Sequence, residues 1–272
     1  MFVSEWLLMV LNLQNSERYF SMQVKKLLPL VLASAFVSGC ATDGSFDLNQ
    51  AVSVGAGVAQ AATLSEDEVK LTATKAAAQL DAESNVVPAN NAYMQRLAKI
   101  VKGLEHYDGL ALNFKVYQAD SINAFAMADG TVRVHSALLD AMPDDQVLAV
   151  IGHEIGHVKL RHSFKQMREQ LLTSSAFQAA ASTSGYIASL TNSQLGQIAY
   201  KAVNAQFSQS DELESDEYAV RLLNALGKDP YAMKRAIETL QKNYGSGGGF
   251  LSSHPSNDAR IERIVTAIKK NK

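Results

Sequence analysis

The stretch that decides the fold is His153-Glu154-Ile155-Gly156-His157, or HEIGH in one-letter code. His153 and His157 are four residues apart, so on a helix both project from one face, at a spacing that suits two ligands of a tetrahedral zinc ion. Glu154 lies beside the first histidine, where its carboxylate can accept a proton from an attacking water without itself binding the metal. The stretch therefore predicts a metal-dependent hydrolytic site on a helix.

The residues before HEIGH are predicted to form the rest of that helix. Pro143 and the two aspartates after it suit a first helical turn, and the following residues are largely apolar. A pattern as short as HExxH can occur by chance. Burying two histidines and a glutamate on a helix would be energetically costly without a metal, and this cost favours the interpretation as a metal site. Gly152 and Gly156 are predicted to leave room around the ion.

A catalytic zinc site needs a third protein ligand, and the residues just after HEIGH do not supply one. The longer pattern HExxHxxGxxH fails, because Leu160 and Ser163 stand where its glycine and third histidine would be. His162 is out of register and is predicted to be a solvated residue near a helix end. Glu169 lies in a polar stretch that is typical of a helix surface. The third ligand is therefore expected in the acidic cluster Asp211–Glu217.

Helical spacing selects residues within this acidic cluster. Glu212 and Asp216 share a stripe with the apolar residues that follow, whereas Glu214 and Glu217 fall toward solvent. Glu212 is the predicted third ligand, and Asp216 is predicted to hold the free N–H of a ligating histidine. The alternative is an acidic, solvated helix start, which the helix dipole favours in any case.

The sequence before the HEIGH helix predicts two helices and a few strands. Ser65 and Glu68 have the spacing of a capping box that opens a helix through about Leu80, and a second helix follows Pro88. Both are interpreted as scaffold.

Alternating apolar residues predict a strand at Leu112–Tyr117. Ala124–Ala128 and Thr131–His135 are predicted to form a hairpin across Asp129-Gly130. After Ser136 the pattern is almost wholly helical, so the predicted class is α+β, with a small sheet and hairpin preceding the HExxH helix.

Composition excludes several other functions. A net charge of −2 and a pI near 6.3 provide no basic surface for phosphates, so no nucleic-acid partner is expected. Cys40 is the one cysteine, so neither an intrachain disulfide nor a site built from several thiolates can form.

The residues around Cys40 have the order of a secretory signal. Two lysines precede the apolar stretch Leu27–Val37, which ends in small residues and is too short to span a bilayer. Residues 1–39 are the predicted signal peptide, with Met22 as its natural start and residues 1–21 as a misassigned extension. Residues 40–64 are a predicted tether and residues 65–272 a zinc metallopeptidase domain.

The run Val37-Ser38-Gly39-Cys40 resembles the lipobox of bacterial lipoproteins, in which the cysteine carries the lipid. Ala41 in place of aspartate then implies transport to the outer membrane, with the protein anchored on its periplasmic face. The alternative is a buried free cysteine at the end of an ordinary signal.

HEIGH followed by Glu212 and Asp216 resembles the HtpX and CAAX-prenyl-protease family, number 48 among the metallopeptidase families. The runs Asn123–Ala126 and Phe207–Gln209, and His254-Pro255 with Arg260, resemble its envelope lipoproteins, and the resemblance extends from about Leu64 to Ile268. It implies a gluzincin fold, one zinc ion per chain and proteolytic quality control of the cell envelope. The sequence departs from the family in lacking a membrane-spanning helix after the signal and in having Ser215 where alanine is usual.

Four other features leave alternatives open. Asn123–Ala126 is either an edge strand that pairs with the substrate backbone, as in related gluzincins, or a core strand contributing Phe125. Residues 176–190 form a packed helix or a mobile lid, with a membrane contact as the alternative. Gly245–Gly249 is predicted to be a flexible link. His106 and His135 are interpreted as surface or satisfied core histidines.

These expectations combine into one mechanism for hydrolysing peptide bonds in misfolded envelope proteins. Zinc bound by the two HEIGH histidines and Glu212 activates water and the scissile carbonyl, while Glu154 moves the proton to the leaving amine. His254 is an oxyanion donor, a fourth zinc ligand at rest, or a surface histidine, and Arg260 is predicted to pair with a carboxylate of the site. The alternatives are a chaperone-like binding lipoprotein with incidental protease activity and a structural zinc protein closed by four ligands.

Overall fold

The computed structural model describes residues 64–174, 190–244, 249–255 and 258–270. The predicted signal peptide, Cys40 and residues 41–63 of the tether lie outside the described residues. So do residues 176–189 of the predicted lid and 245–248 of the predicted link. The predicted domain boundaries therefore stay predictions.

The described part of the chain is mainly helical with a small sheet, so the predicted α+β class is confirmed. The elements in chain order are α1 Glu66–Glu83, α2 Ala92–Ile100, β1 Asn113–Tyr117, β2 Ala124–Ala126, β3 Thr131–His135, α3 Ser136–Ala141, α4 Asp144–Lys159, α5 His162–Thr173, α6 Asn192–Asn204, α7 Gln209–Ala225, α8 Tyr231–Tyr244, α9 Phe250–Ser253 and α10 Asp258–Lys270. Among the described residues, no helix combines the length and apolar character that crossing a bilayer requires.

Local signals set the starts of the first two helices. The Ser65 hydroxyl accepts a hydrogen bond from the Glu68 backbone N–H at 3.3 Å, and the Glu68 carboxylate accepts one from the Ser65 N–H at 2.9 Å. This is the predicted capping box, and α1 begins at the next residue. Asn91 caps α2 by accepting from the Tyr93 N–H at 2.8 Å.

The sheet has the strand order β1-β3-β2, with β1 parallel and β2 antiparallel to β3. The predicted hairpin is confirmed: Phe125 pairs with Arg133, and the Met127 N–H donates to the Thr131 carbonyl at 2.9 Å. Gly130 closes the turn with a φ of +90°, where a Cβ atom would lie 2.0 Å from the Ala111 carbonyl oxygen. Among the described residues, β2 pairs with β3 alone, so β2 is an edge strand of the sheet.

The two faces of the sheet contribute to two hydrophobic cores. The main core contains the inner face of the sheet and α4, together with α2, α7, α8 and α10; its buried members include Leu97, Val132, Val134, Ile151, Ile155, Ala219, Leu223, Ile237 and Ile264. The second core lies among α1, α5, α6 and the outer face of the sheet; its members include Val69, Ala73, Tyr117, Phe125, Met127, Met167, Leu171 and Ile198. Phe125 is thus a core residue on an edge strand, so the two interpretations of Asn123–Ala126 are compatible in geometry.

An ionic cluster joins α1 to the outer face of the sheet. Arg133, which is buried, donates from Nε and Nη2 to the two carboxylate oxygens of Asp81 at 2.8 and 2.9 Å. Lys115 Nζ and the Tyr117 hydroxyl donate to the same carboxylate at 2.6 and 2.7 Å. Burial raises the pKa of Asp81, but these donors outweigh it and lower the pKa to about 2.

Helices α4 and α7 approach each other closely over two glycines. A Cβ atom on Gly156 would lie 3.1 Å from both Ser215 Cα and Tyr218 Cβ, whereas one on Gly152 would lie 3.4 Å from Ala219 Cα. The prediction that these glycines leave room around the ion is therefore wrong. They leave room for α7, which brings the carboxylates of α7 to the histidines of α4.

Candidate metal centre

Four side chains from three parts of the chain converge on one point. His153 and His157 come from α4, Glu212 comes from the first turn of α7, and His254 follows α9. One donor atom from each lies within 4.8 Å of the others. All four residues are at most 1% exposed. The cluster contains the three predicted zinc ligands and one further histidine.

The donor atoms fit a cation at this point. His153 Nδ1 donates to Asp216 Oδ1 at 2.8 Å, which leaves the lone pair of His153 on Nε2. That Nε2 faces His157 Nε2 at 3.0 Å and His254 Nδ1 at 3.2 Å, so ring nitrogens point at one another. Burial holds the pKa of His157 well below its usual value, which favours the neutral imidazole that a metal requires. Imidazole nitrogens and one carboxylate are a donor set that suits zinc.

Glu212 is held as a carboxylate in this buried position. Burial raises its pKa, but the positive charges of His254 and Arg260 outweigh that effect and hold the pKa well below its usual value. Its Oε1 lies 3.3 Å from His157 Nε2 and 3.0 Å from His254 Nδ1. Arg260 Nη1 forms an ion pair with Oε2 at 2.6 Å. The same Oε2 lies 3.6 Å from His153 Nε2, so both oxygens of Glu212 lie beside the histidines of the centre, and Arg260 neutralises the charge of the carboxylate.

Arg260 joins three parts of the site. It donates to the two carboxylate oxygens of Asp216 from Nε and Nη2, both at 2.7 Å. Its Nη1 also donates to the His254 carbonyl at 3.2 Å. Arg260 and Asp216 are fully buried, so each charge depends on the other for stability. This network connects α10, α7 and the residue that follows α9 to the histidines of α4.

Glu154 lies beside the centre and is 1% exposed. Burial raises its pKa, and the negative charge of Glu212 adds to this, although His254 and His153 partly oppose the shift. Its Oε1 has no hydrogen-bond partner among the described residues and lies 3.5 Å from His254 Nε2. A carboxylate with a raised pKa and a free oxygen can accept and release a proton.

The free edge of β2 faces this carboxylate. The bonds from Met127 N–H to Thr131 and from His135 N–H to Asn123 show which residues of the hairpin pair through hydrogen bonds. Because bonded and non-bonded positions alternate, Ala124 and Ala126 direct their backbone groups away from β3. The Ala126 backbone also forms a hydrogen bond with Glu154. An extended peptide on this edge would therefore run past Glu154.

The centre is covered by aromatic rings. Phe207 stacks on His157 with a centroid distance of 3.8 Å and an interplanar angle of 25°. Phe250 stacks on His254 at 4.2 Å and 14°. The contact between Phe207 and His157 was not predicted, because apart from the family resemblance nothing in the sequence around Phe207 marks it as part of the site.

One prediction about a histidine is wrong, and one alternative for another histidine is excluded. His162 is 2% exposed and not solvated: its Nδ1 lies 3.2 Å from His157 Nδ1, and burial lowers its pKa. Arg161 has a left-handed backbone conformation with a φ of +68°. This residue ends the path of α4 and changes the direction of the chain before α5, so that His162 faces the site. The interpretation of His254 as a surface histidine is excluded by its burial. His106 is exposed and His135 bonds to Ser121, as predicted for histidines away from the site.

Known proteins are similar to most of this chain. The sequence profile of peptidase family M48 matches residues 53–268. Metalloprotease LoiP of Escherichia coli (strain K12) is 39% identical over 89% of this chain and 96% of that protein. Metalloprotease YcaL of the same organism is 37% identical over 91% and 98%, respectively. The beta-barrel assembly-enhancing protease of Yersinia pestis is 29% identical over 85% of this chain and 50% of that protein.

The matched residues include every member of the buried cluster, and the cluster combines HExxH histidines with a downstream glutamate, as in a gluzincin. The chain is a metalloendopeptidase that belongs to peptidase family M48.

Proposed function

We propose that this metalloendopeptidase uses one zinc ion per chain to hydrolyse peptide bonds in misfolded proteins of the cell envelope. The observation that carries the proposal is the convergence of His153, His157 and Glu212 on one buried point, with Glu154 beside it. The envelope assignment is supported by the Yersinia pestis relative, whose name refers to β-barrel assembly, since such barrels belong to outer membranes.

The two α4 histidines and Glu212 would hold the zinc ion, which would supply Lewis-acid polarisation of the scissile carbonyl and of the attacking water. Glu154 accepts the proton of that water and delivers it to the leaving amine. The raised pKa of Glu154 suits this role, because a carboxylate holds a proton more readily as its pKa rises.

The substrate backbone would bind along the free edge of β2. Ala124 and Ala126 direct their backbone groups to that side, where the Ala124 N–H donates to Asn123 Oδ1 at 3.0 Å and the Ala126 backbone bonds to Glu154. A substrate strand that joins the sheet there would replace these two bonds. The contact between Ala126 and Glu154 would place the scissile bond next to the base. Because the four donor residues are buried, a peptide would reach them only after a covering group moves, and Phe207, which stacks on His157, is one such group.

His254 supports two mechanistic roles. Its Nδ1 faces the ligand cluster and its Nε2 faces Glu154. It can therefore fill a fourth position at rest, or donate to the oxyanion once the substrate has arrived. A centre with four protein donors is also what a structural zinc site would contain, so zinc binding alone does not demonstrate catalysis.

Cys40 is proposed to carry the lipid that anchors the protein to the periplasmic face of the outer membrane. The support is the basic, apolar and small-residue order of the sequence before it. A tether after Cys40 would then let the peptidase domain reach proteins near that membrane.

The experiment that tests the proposed reaction is Glu154→Gln, with Glu169→Gln as the matched control at an exposed position of α5. Glu154→Gln should retain one zinc ion per chain by metal analysis and should lose casein cleavage, because the substitution removes a proton acceptor and no ligand. Glu169→Gln should retain both properties. Undiminished cleavage by Glu154→Gln would exclude this mechanism. Full function of the same variant in cells would favour the chaperone-like role.

A further inference from the structure

His162 lies between a histidine of the metal centre and two carboxylates. Its Nε2 is 3.3 Å from Asp211 Oδ1 and 3.3 Å from Glu214 Oε2. On the other side of the ring, its Nδ1 is 3.2 Å from His157 Nδ1 and 3.3 Å from Ser215 Oγ. His162 is 2% exposed, so these four contacts are shielded from solvent, and the positive charge of Lys165 also acts on the ring.

The partners determine where the protons lie. Ionised carboxylates only accept hydrogen bonds, so the His162 nitrogen that faces them must carry a hydrogen. In the neutral ring, the other nitrogen then has a lone pair and accepts. His157 Nδ1 must therefore be the donor across the 3.2 Å contact, and the Ser215 hydroxyl can donate to the same lone pair.

This arrangement has a consequence for the metal centre. A neutral histidine with its hydrogen on Nδ1 has its lone pair on Nε2. In His157, that Nε2 faces His153 and Glu212 at 3.0 and 3.3 Å, which is the side on which the ligands converge. The chain of contacts from Asp211 and Glu214 through His162 thus prepares His157 to bind a metal.

We propose that His162 is a positioning residue that holds His157 in its metal-binding tautomer and orientation, and thereby raises the affinity for zinc. The proposal rests on the proposed function, in which His157 is a ligand. His162 would hold the His157 ring through a hydrogen bond to its Nδ1, as Asp216 holds the His153 ring through a hydrogen bond of 2.8 Å to His153 Nδ1. The two supports differ in chemistry, since one partner is a buried carboxylate and the other is an imidazole.

The first test compares zinc affinities by competition with a chelator. His162→Phe keeps a ring but removes the acceptor, and should weaken zinc binding about 10- to 100-fold, as loss of such outer contacts does. His162→Asn keeps an acceptor near the position of Nδ1 and should retain most of the affinity. His106→Phe makes the same chemical change at an exposed histidine away from the centre and should bind like the wild type.

A second measurement does not depend on whether the variants fold. In zinc-loaded wild type labelled with ¹⁵N-histidine, long-range ¹H–¹⁵N couplings should show the hydrogen of His162 on Nε2 and that of His157 on Nδ1. A hydrogen on His162 Nδ1 would overturn the proposal, because that nitrogen could then not accept from His157.

The outcomes separate this proposal from the proposed function. If wild type binds no stoichiometric zinc, the proposed function fails. If wild type binds zinc and a folded His162→Phe binds it equally tightly, the proposed function stands and the role of His162 is refuted. An equal loss of affinity in His162→Phe and His162→Asn would also contradict the role, since the acceptor would then make no difference.

Discussion

The close approach of α4 to α7 at Gly156 allows a test of how packing controls the metal centre. Gly156→Ala adds a Cβ atom 3.1 Å from Ser215 Cα and 3.2 Å from the Ser215 carbonyl oxygen, both of which are backbone atoms. Backbone atoms cannot rotate away, so α7 must shift by a few tenths of an ångström. Gly152→Ala is the matched control, because it makes the same change on the same helix with 3.4 Å to the nearest atom.

The two substitutions should have different effects on stability. Replacing a helical glycine by alanine gains about 1 kcal/mol in helix propensity. Gly152→Ala should realise most of that gain. In Gly156→Ala, overpacking costs about 1–3 kcal/mol, so the net effect should range from neutral to about 2 kcal/mol of destabilisation. Urea unfolding in the presence of a chelator measures this difference without the contribution of zinc binding.

Zinc affinity should separate the same two variants. Glu212 lies three residues before Ser215 on α7, so a shift of α7 also moves this carboxylate relative to the α4 histidines. Ligand distances in zinc sites lie within about 0.2 Å of their standard values, so a shift of a few tenths of an ångström is large on that scale. Gly156→Ala should therefore bind zinc more weakly than wild type, and Gly152→Ala should bind it equally well. If Gly156→Ala matched Gly152→Ala in both stability and zinc affinity, the role assigned to this close contact would be refuted.

Three further predictions concern separate parts of the molecule. His254→Ala should weaken zinc binding and raise basal peptide cleavage if the residue fills the fourth position at rest. Lower turnover with unchanged affinity would identify an oxyanion donor instead. Cys40→Ala should move the protein out of the outer-membrane fraction on cell fractionation, because one lipidated residue is the proposed anchor; an unchanged membrane fraction would contradict that anchor. In the folded protein the pKa of Asp81 is lowered to about 2. The ionised carboxylate therefore stabilises the fold above about pH 4, and this stabilisation is lost as the pH falls toward about 2. Asp81→Asn should therefore lower the free energy of unfolding at pH 7 by about 2 kcal/mol or more, since Arg133 loses its ionic partner. Below about pH 4, the stability of this variant should fall less steeply with pH than that of the wild type. Equal unfolding curves for wild type and Asp81→Asn at pH 7 would contradict this.

Several features could be predicted because they depend on residues close together in the chain. The Ser65 capping box, the turn at Gly130 and the four-residue spacing of the HEIGH histidines follow from the geometry of one turn or one hairpin. Glu212 and Asp216 were selected in the same way, by the period of a single helix, and the structure places both beside the α4 histidines.

Other features depend on tertiary packing. The parallel pairing of β1 with β3 joins strands between which β2 intervenes, and no local spacing indicates it. His162 was interpreted as solvated because its helical register points away from the HEIGH face. The left-handed conformation of Arg161 changes that direction, and α7 then supplies carboxylates about 50 residues further along the chain.

The sequence by itself determined the chemistry of this protein, namely which helix carries the histidines, which residue is the proposed base and which acidic cluster supplies a carboxylate. The tertiary structure decided how the centre is closed and supported. It brings His254 to within 3.2 Å of His153 across 101 residues, and it uses Gly156 to seat α7 against α4. The physical reason is that spacing along a helix fixes directions within one element, whereas distances between elements depend on how their side chains pack.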